Sequence, residues 1–260
     1  MKPKLSATLL SLAALAACGS YDSTGYTLPP TTPAFTTFQA QGDSLAIADD
    51  LDAFRAALGG VLNAPNTPPA ASGRREINWD GVPAALTDVD TFPATFFNVN
   101  SKRGAEFRTS GTGLRVDSSA FATANAGLGA QFRAFSPKKL FMAVGSTLVE
   151  VQFKVVGTPT LGLVNGFGVV FADVDRTGST RVELYDADGV LIANLTAPAQ
   201  GGTQGFSFIG AVFPSPIVSH VRIISGDAAL NATITDLTAG GTADLVVMDD
   251  FVYGEPQPRP

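Results

Sequence analysis

Hydrophobic and polar residues alternate with a period of two along several short stretches of this chain. Between Asn165 and Ala193, Phe167, Val169 and Phe171 alternate with Gly168, Val170 and Ala172, and Val182 and Leu184 then alternate with Arg181, Glu183 and Tyr185. Alternation bounded by Asp and Gly predicts three consecutive antiparallel strands here. A polar link, Asp173–Ser179, joins the first two, and the tight turn Asp186-Ala187-Asp188-Gly189 joins the last two. The same signal predicts strands in Ser146–Val156, Gly205–Phe213, Val218–Ser225 and Asp244–Tyr253. Shorter strands are expected at Ala105–Thr109 and Gly113–Ser118, with Gly111-Thr112-Gly113 as the turn between them. No long helical pattern interrupts Gly73–Gly254. The expected fold class is therefore all-β, a two-sheet antiparallel sandwich of jelly-roll type.

The chain ahead of the sandwich has a different pattern. Ile47, Leu51, Phe54 and Leu58 fall at helical spacing, with Asp49, Asp50 and Asp52 in the first turns and Gly59-Gly60 at the end. These features predict one short amphipathic helix. Its early acids are read as a solvated turn that suits the helix dipole rather than as a metal site. Asn63, Pro65, Asn66, Pro68 and Pro69 follow, so residues 44–72 are expected to be a helix and a Pro-rich linker ahead of a domain at 73–254. Residues 255–260 are expected to form a disordered tail.

Lys2 and Lys4 precede the apolar run Leu5–Ala17, which ends in Leu15-Ala16-Ala17-Cys18. The run is too short to span a bilayer and ends in small residues, so residues 1–17 read as a signal peptide. The Leu-Ala-Ala-Cys ending resembles the lipobox of bacterial lipoproteins. That resemblance implies cleavage before Cys18 and its acylation, with residues 18–43 as a flexible tether from a membrane. Gly19 in place of an Asp after the Cys favours the outer membrane of the cell envelope.

Composition narrows the functional classes. The 260 residues are 45% hydrophobic and 15% charged, enough apolar material for a large core. The net charge is −6, and cleavage would remove two lysines and no acid. An acidic surface argues against nucleic acid as a partner. Cys18 is the single cysteine, so no disulfide can form. The one histidine, His220, alternates with inward Val221 and reads as an exposed strand residue. No nucleophile elbow, His-Glu-x-x-His or Cys-x-x-Cys is present. Carboxylates remain: Asp173-Val174-Asp175 at a strand end has the oxygen chemistry for Ca²⁺, although single-residue Asp spacing is common.

A second set of acids lies at the two ends of the domain, in Glu76-Ile77-Asn78-Trp79-Asp80 and in Met248-Asp249-Asp250-Phe251. This arrangement resembles jelly-roll carbohydrate-binding modules, and the segment also resembles secreted bacterial β-sandwich proteins of no assigned function. The first resemblance implies adjacent first and last strands, a structural Ca²⁺ held by Glu76, Asp80, Asp249 and Asp250, and a glycan as ligand. A salt bridge from Arg74 or Arg75 is the alternative partner for an inward carboxylate. Adjacent strand residues point to opposite faces, so only one of Asp249 and Asp250 is expected to face inward. Trp79 shares a face with Ile77 and is expected in the core. The aromatic array of a sugar platform is not evident in the sequence, and no ligand-binding residue is singled out. Three functions stay open: a lipid-anchored envelope binding module without enzymatic activity, a structural or adhesive lipoprotein, and a carbohydrate-active enzyme using paired carboxylates.

Overall fold

The computed structural model of the protein describes residues 32–259. Cys18, the signal peptide and residues 18–31 of the expected tether lie outside the described residues. In chain order, β1 (Thr36–Gly42) is followed by α1 (Ala48–Ala57) and β2 (Arg74–Ile77), then a one-turn helix, α2 (Phe96–Val99), β3 (Ala105–Arg108) and β4 (Gly113–Asp117). Next come β5 (Leu140–Val144), β6 (Leu148–Phe153), β7 (Gly162–Leu163), β8 (Gly166–Ala172), β9 (Arg181–Tyr185) and β10 (Leu191–Thr196). The chain ends with β11 (Phe206–Val212), β12 (His220–Ile224), β13 (Val247–Gly254) and β14 (Gln257–Pro258).

The result is a two-sheet antiparallel β-sandwich. Sheet A runs β1-β11-β8-β13-β5-β4, with β2 paired to the second half of β13, and sheet B runs β10-β9-β12-β6-β3. The inner faces meet in one aromatic-rich core: Phe107, Val151, Leu184 and Val221 from sheet B pack against Phe141, Phe167, Val169 and Phe251 from sheet A. Sheet A is buried on its outer face too, where Ile47, Leu51, Phe54 and Leu58 of the helix region cover Val170, Phe208 and Val252. That cover explains why every residue of β8 and β13 is buried, the pattern of a strand enclosed on both faces. Phe54 lies directly on Gly168 and Gly210, where an added Cβ would come within 2.7 Å and 2.8 Å of the ring. Among the described residues nothing comparable covers sheet B, and most outward residues of β6, β9 and β12 are polar and partly exposed.

The expected three-strand meander is divided between the sheets. β8 pairs with β11 and β13 in sheet A, whereas β9 and β10 form a hairpin in sheet B. The link after β8 therefore crosses the end of the sandwich, with Val174 buried at the crossing. Alternation specifies which side chains face the core, and both arrangements satisfy it equally. The turn at Asp186–Gly189 forms as expected: the Asp186 carboxylate accepts from the amides of Asp188 and Val190 at 2.9 Å each, and Gly189 takes a φ of +77°. β3 and β4 are likewise divided, one at the edge of each sheet, so Gly111–Gly113 is a crossing and not a hairpin turn.

Both chain ends depart from expectation. The expected tether to residue 43 stops short, because Thr36–Gly42 pairs along its whole length with β11. Phe38 reaches the Phe54 ring at 5.6 Å, so this strand both satisfies the β11 edge and adds apolar contact. The expected disordered tail is also anchored. Glu255 is 3% exposed, and Gln257–Pro258 pairs with β7. Arg75 donates to Glu255 from Nε at 2.5 Å and from Nη2 at 2.9 Å, and Nη1 donates to the Ala64 carbonyl at 2.6 Å. Glu255 also accepts from Asn63 Nδ2 at 2.8 Å and from the Ala70 amide at 3.0 Å. One buried ion pair thus binds the Pro-rich linker and the tail to β2, so residues 44–72 and 255–259 belong to the same body as the sandwich.

Candidate functional site

The end of β8 builds an acidic site. Asp173 is the first residue off sheet A and takes a left-handed φ of +69°. Asp175 follows two residues later, where the chain turns towards sheet B. Asp236 arrives from the long connection between β12 and β13, held there by its own bonds. Its Oδ1 accepts from the Thr238 amide and hydroxyl at 2.9 Å each, and its Oδ2 accepts from the Leu245 amide at 2.8 Å. One carboxylate oxygen from each of Asp173, Asp175 and Asp236 lies within 4.8 Å of the others, a group that could hold a metal ion. Gln131, from the loop before β5, directs its carboxamide at Asp173, Asp236 and Thr238.

The electrostatics of this site are unbalanced. Asp173 and Asp236 are fully buried. Oδ1 of Asp173 and both carboxylate oxygens of Asp175 are buried without a hydrogen-bond partner. Among the described residues no Lys or Arg pairs with any of the three; the nearby Arg176 pairs with Asp227 instead. Burial, then the charges of Asp236, Asp175 and Asp244, pushes the Asp173 carboxyl up to about 7. Burial followed by Asp236 and Asp244 pushes Asp175 up to about 6.

The four acids expected to hold Ca²⁺ sit differently. Asp249 and Asp250 are both buried, at 0% and 4% exposure. The register of β13 against β8 shifts between Met248 and Phe251. This irregularity breaks strict alternation, so the two adjacent carboxylates meet at one hydroxyl, Ser136, instead of pointing to opposite faces. Ser136 Oγ lies 2.8 Å from Asp249 Oδ1 and 2.7 Å from Asp250 Oδ1, and the Phe135 amide donates to Asp249 Oδ2 at 2.6 Å. Arg55 reaches Asp250 at 3.6 Å and Glu76 at 2.9 Å. Asp80 is held apart by the Lys139 amide at 3.2 Å. Burial, then the Asp250 charge, raises the Asp249 carboxyl. The residues at this place therefore already have protein partners, and a guanidinium from α1 stands beside Glu76 and Asp250. Arg74 pairs with Glu76 and Arg75 with Glu255, so neither reaches Asp249 or Asp250. As the first resemblance implied, the first and last strands of the domain, β2 and β13, are neighbours.

The outer face of sheet B is a third feature. Tyr185 on β9 stacks on His220 on β12, with centroids 4.5 Å apart and planes 6° apart. Arg222 lies over the Tyr185 ring at 5.6 Å and pairs with Glu150 at 3.0 Å, and the Tyr185 hydroxyl donates to Glu183 at 2.7 Å. Beside this cluster is an open recess of about 200 Å³ lined by Arg108, Glu150, Gln152 and His220. Arg108 forms no salt bridge among the described residues, and burial lowers the His220 pKa. His220, expected to be simply exposed, is half-buried in this stack. The strand positions of Tyr185 and His220 were readable from the sequence, but the β9–β12 pairing that stacks them was not.

No protein-family model matches the chain, and no curated protein matches it. Among solved structures, a glycoside hydrolase family 43 arabinoxylan arabinofuranohydrolase from Bacillus subtilis, in complex with cellotetraose, is 21% identical over 46% of this chain and 21% of that one, with a TM-score of 0.26. The enzymatically active domain of tailspike protein 4 from bacteriophage CBA120 is 10% identical over 66% of this chain and 22% of its own, with a TM-score of 0.27. The chain thus spans about a fifth of each of these proteins.

Proposed function

We propose that the protein is a non-catalytic binding module of the bacterial cell envelope, lipid-anchored through Cys18, that holds a glycan on the outer face of sheet B and carries one structural Ca²⁺. The observation that carries the glycan reading is the recess beside the Tyr185–His220 stack. Planar side chains with fixed hydrogen-bonding edges suit sugar hydroxyls, and a free guanidinium at Arg108 suits an acidic sugar. Among the described residues no layer covers the sheet on this side, so an extended chain can reach the recess without rearrangement of them.

A glycan array probed with the full chain in detergent tests this reading. Binding is expected to favour uronate-containing glycans, and Arg108→Ala is expected to weaken it at least about tenfold, the loss of one charge-assisted hydrogen-bonding group. The melting temperature of that variant should not change. No retained glycan would leave the structural or adhesive lipoprotein as the better reading. The anchor has its own test: Cys18→Ser is expected to abolish lipid attachment and signal-peptide removal, so unchanged mass and membrane fractionation would end that part. Gly19 supports placement at the outer membrane.

A further inference from the structure

We propose that Asp173, Asp175 and Asp236 bind a single Ca²⁺, which staples together two segments distant in sequence at the end of sheet A. The inference rests on the reading that the module carries a structural cation, and it gives that cation a place other than the one implied by Glu76, Asp80, Asp249 and Asp250.

Three carboxylates meet with no basic side chain among them, and two of the three residues are fully buried. An uncompensated buried charge is costly, and a cation or protons must offset it. The hydrogen bonding separates these two possibilities. A proton can be shared between Asp175 and Asp236, whose carboxyls lie against each other, but Asp173 Oδ1 is buried with no hydrogen-bond partner to share one with. A buried, unpaired oxygen on Asp173, in a group with carboxylate oxygens of Asp175 and Asp236, is what a hard cation would satisfy. The Asp249–Asp250 pair differs here, because Ser136, the Phe135 amide and Arg55 occupy its oxygens.

The donor set selects the metal. All donors are oxygen, with no His or Cys in the group, which favours Ca²⁺ or Mg²⁺ over zinc and copper. Mg²⁺ demands near-ideal octahedral geometry and gives up its waters reluctantly, so a group of protein carboxylates suits Ca²⁺ better. Further oxygens are at hand. Gln131 can present its carbonyl oxygen by turning its carboxamide over, since the two ends are interchangeable in shape. Thr238 brings a hydroxyl to the same place. The ion would then connect the β8–β9 crossing, the loop before β5 and the β12–β13 connection.

The test uses the full chain in detergent, stripped of metal with EDTA and titrated with CaCl₂ by calorimetry and by thermal melting. One ion per chain and a raised melting temperature are expected, because a ligand that binds only the folded state stabilises it by mass action. Mg²⁺ at equal concentration should give a smaller rise. Asp175→Asn is the decisive variant, because it removes one carboxylate charge from the group while keeping an oxygen acceptor and the size of the side chain. It should fold in EDTA at least as stably as the parent and lose the Ca²⁺ response. Asp236→Asn should lose the response too, but it also disturbs the bonds to Thr238 and Leu245. Asp249→Asn should keep the response. Ca²⁺ binding that survives Asp175→Asn but not Asp249→Asn would overturn this site and leave the structural-cation reading intact. No bound ion by elemental analysis, with identical melting in EDTA and Ca²⁺, would overturn both.

Discussion

Glu255→Ala is expected to destabilise the protein by about 3–5 kcal/mol, the usual cost of removing one partner from a buried ion pair. The change leaves the Arg75 guanidinium, with a fully buried side chain, without its carboxylate. Arg75 keeps its bonds to the Ala64 and Pro68 carbonyls and to Thr67, but a carbonyl dipole does not offset a full charge in a dry interior. Asn63 and the Ala70 amide lose their acceptor as well. A loss of that size is a large share of the roughly 5–15 kcal/mol typical of a domain. Glu255→Gln should cost less, because it keeps an oxygen acceptor in the same place. Denaturant unfolding of both variants measures this, and a change below about 1 kcal/mol for Glu255→Ala would show that the linker and tail dock without help from the pair.

Trp79→Ala is expected to cost a similar 3–5 kcal/mol, by loss of buried area and creation of a cavity. Trp79 is 1% exposed and stacks on Phe141 with centroids 4.0 Å apart and planes 8° apart. Phe97, Phe107 and Phe251 pack around it with centroids 5.2–5.6 Å away. Its indole N–H donates to the Asp249 carbonyl at 2.7 Å, so its removal also strands a buried acceptor. Trp79 takes a φ of +64°, a conformation that costs a bulky residue about 1–3 kcal/mol and persists only where the surroundings over-determine it. Burial of the indole outweighs that strain. Thermal melting of Trp79→Ala should show a large drop, with glycan binding retained at temperatures where the variant stays folded. Unchanged melting with lost binding would make Trp79 a ligand platform instead.

The two effects reach the acidic sites unequally. Trp79 touches Asp249 directly, so Trp79→Ala should disturb the Ser136–Asp249–Asp250 arrangement. Asp173 and Asp236 lie among other elements, and the Ca²⁺ response proposed for them should survive as long as the sheets do.

The sequence by itself determined the class of fold, most of the strands and much of the core. Alternation in Ser146–Val156, Gly205–Phe213 and Val218–Ser225 is a local signal, and burial of one face of a pleated strand needs nothing more than period two. The helix at Ile47–Leu58 and the burial of Trp79 were legible for the same reason. Asp173 and Asp175 were legible as a two-acid motif at a strand end. Only the tertiary structure decided what pairs with what. Asp236 and Gln131 are separated from Asp173 by 63 and 42 residues, and no local pattern marks them. The crossing of the chain between sheets after β8, the register shift that brings both Asp249 and Asp250 to Ser136, and the capture of Glu255 by Arg75 depend on partners remote in sequence. Edge strand β1 has a short alternation of its own, Phe38 and Ala40 against Thr37, Gln39 and Gln41, but its partner β11 lies far away in sequence. A period in sequence reports which face of a segment is dry; which segment lies against it is set by the packing of the whole chain.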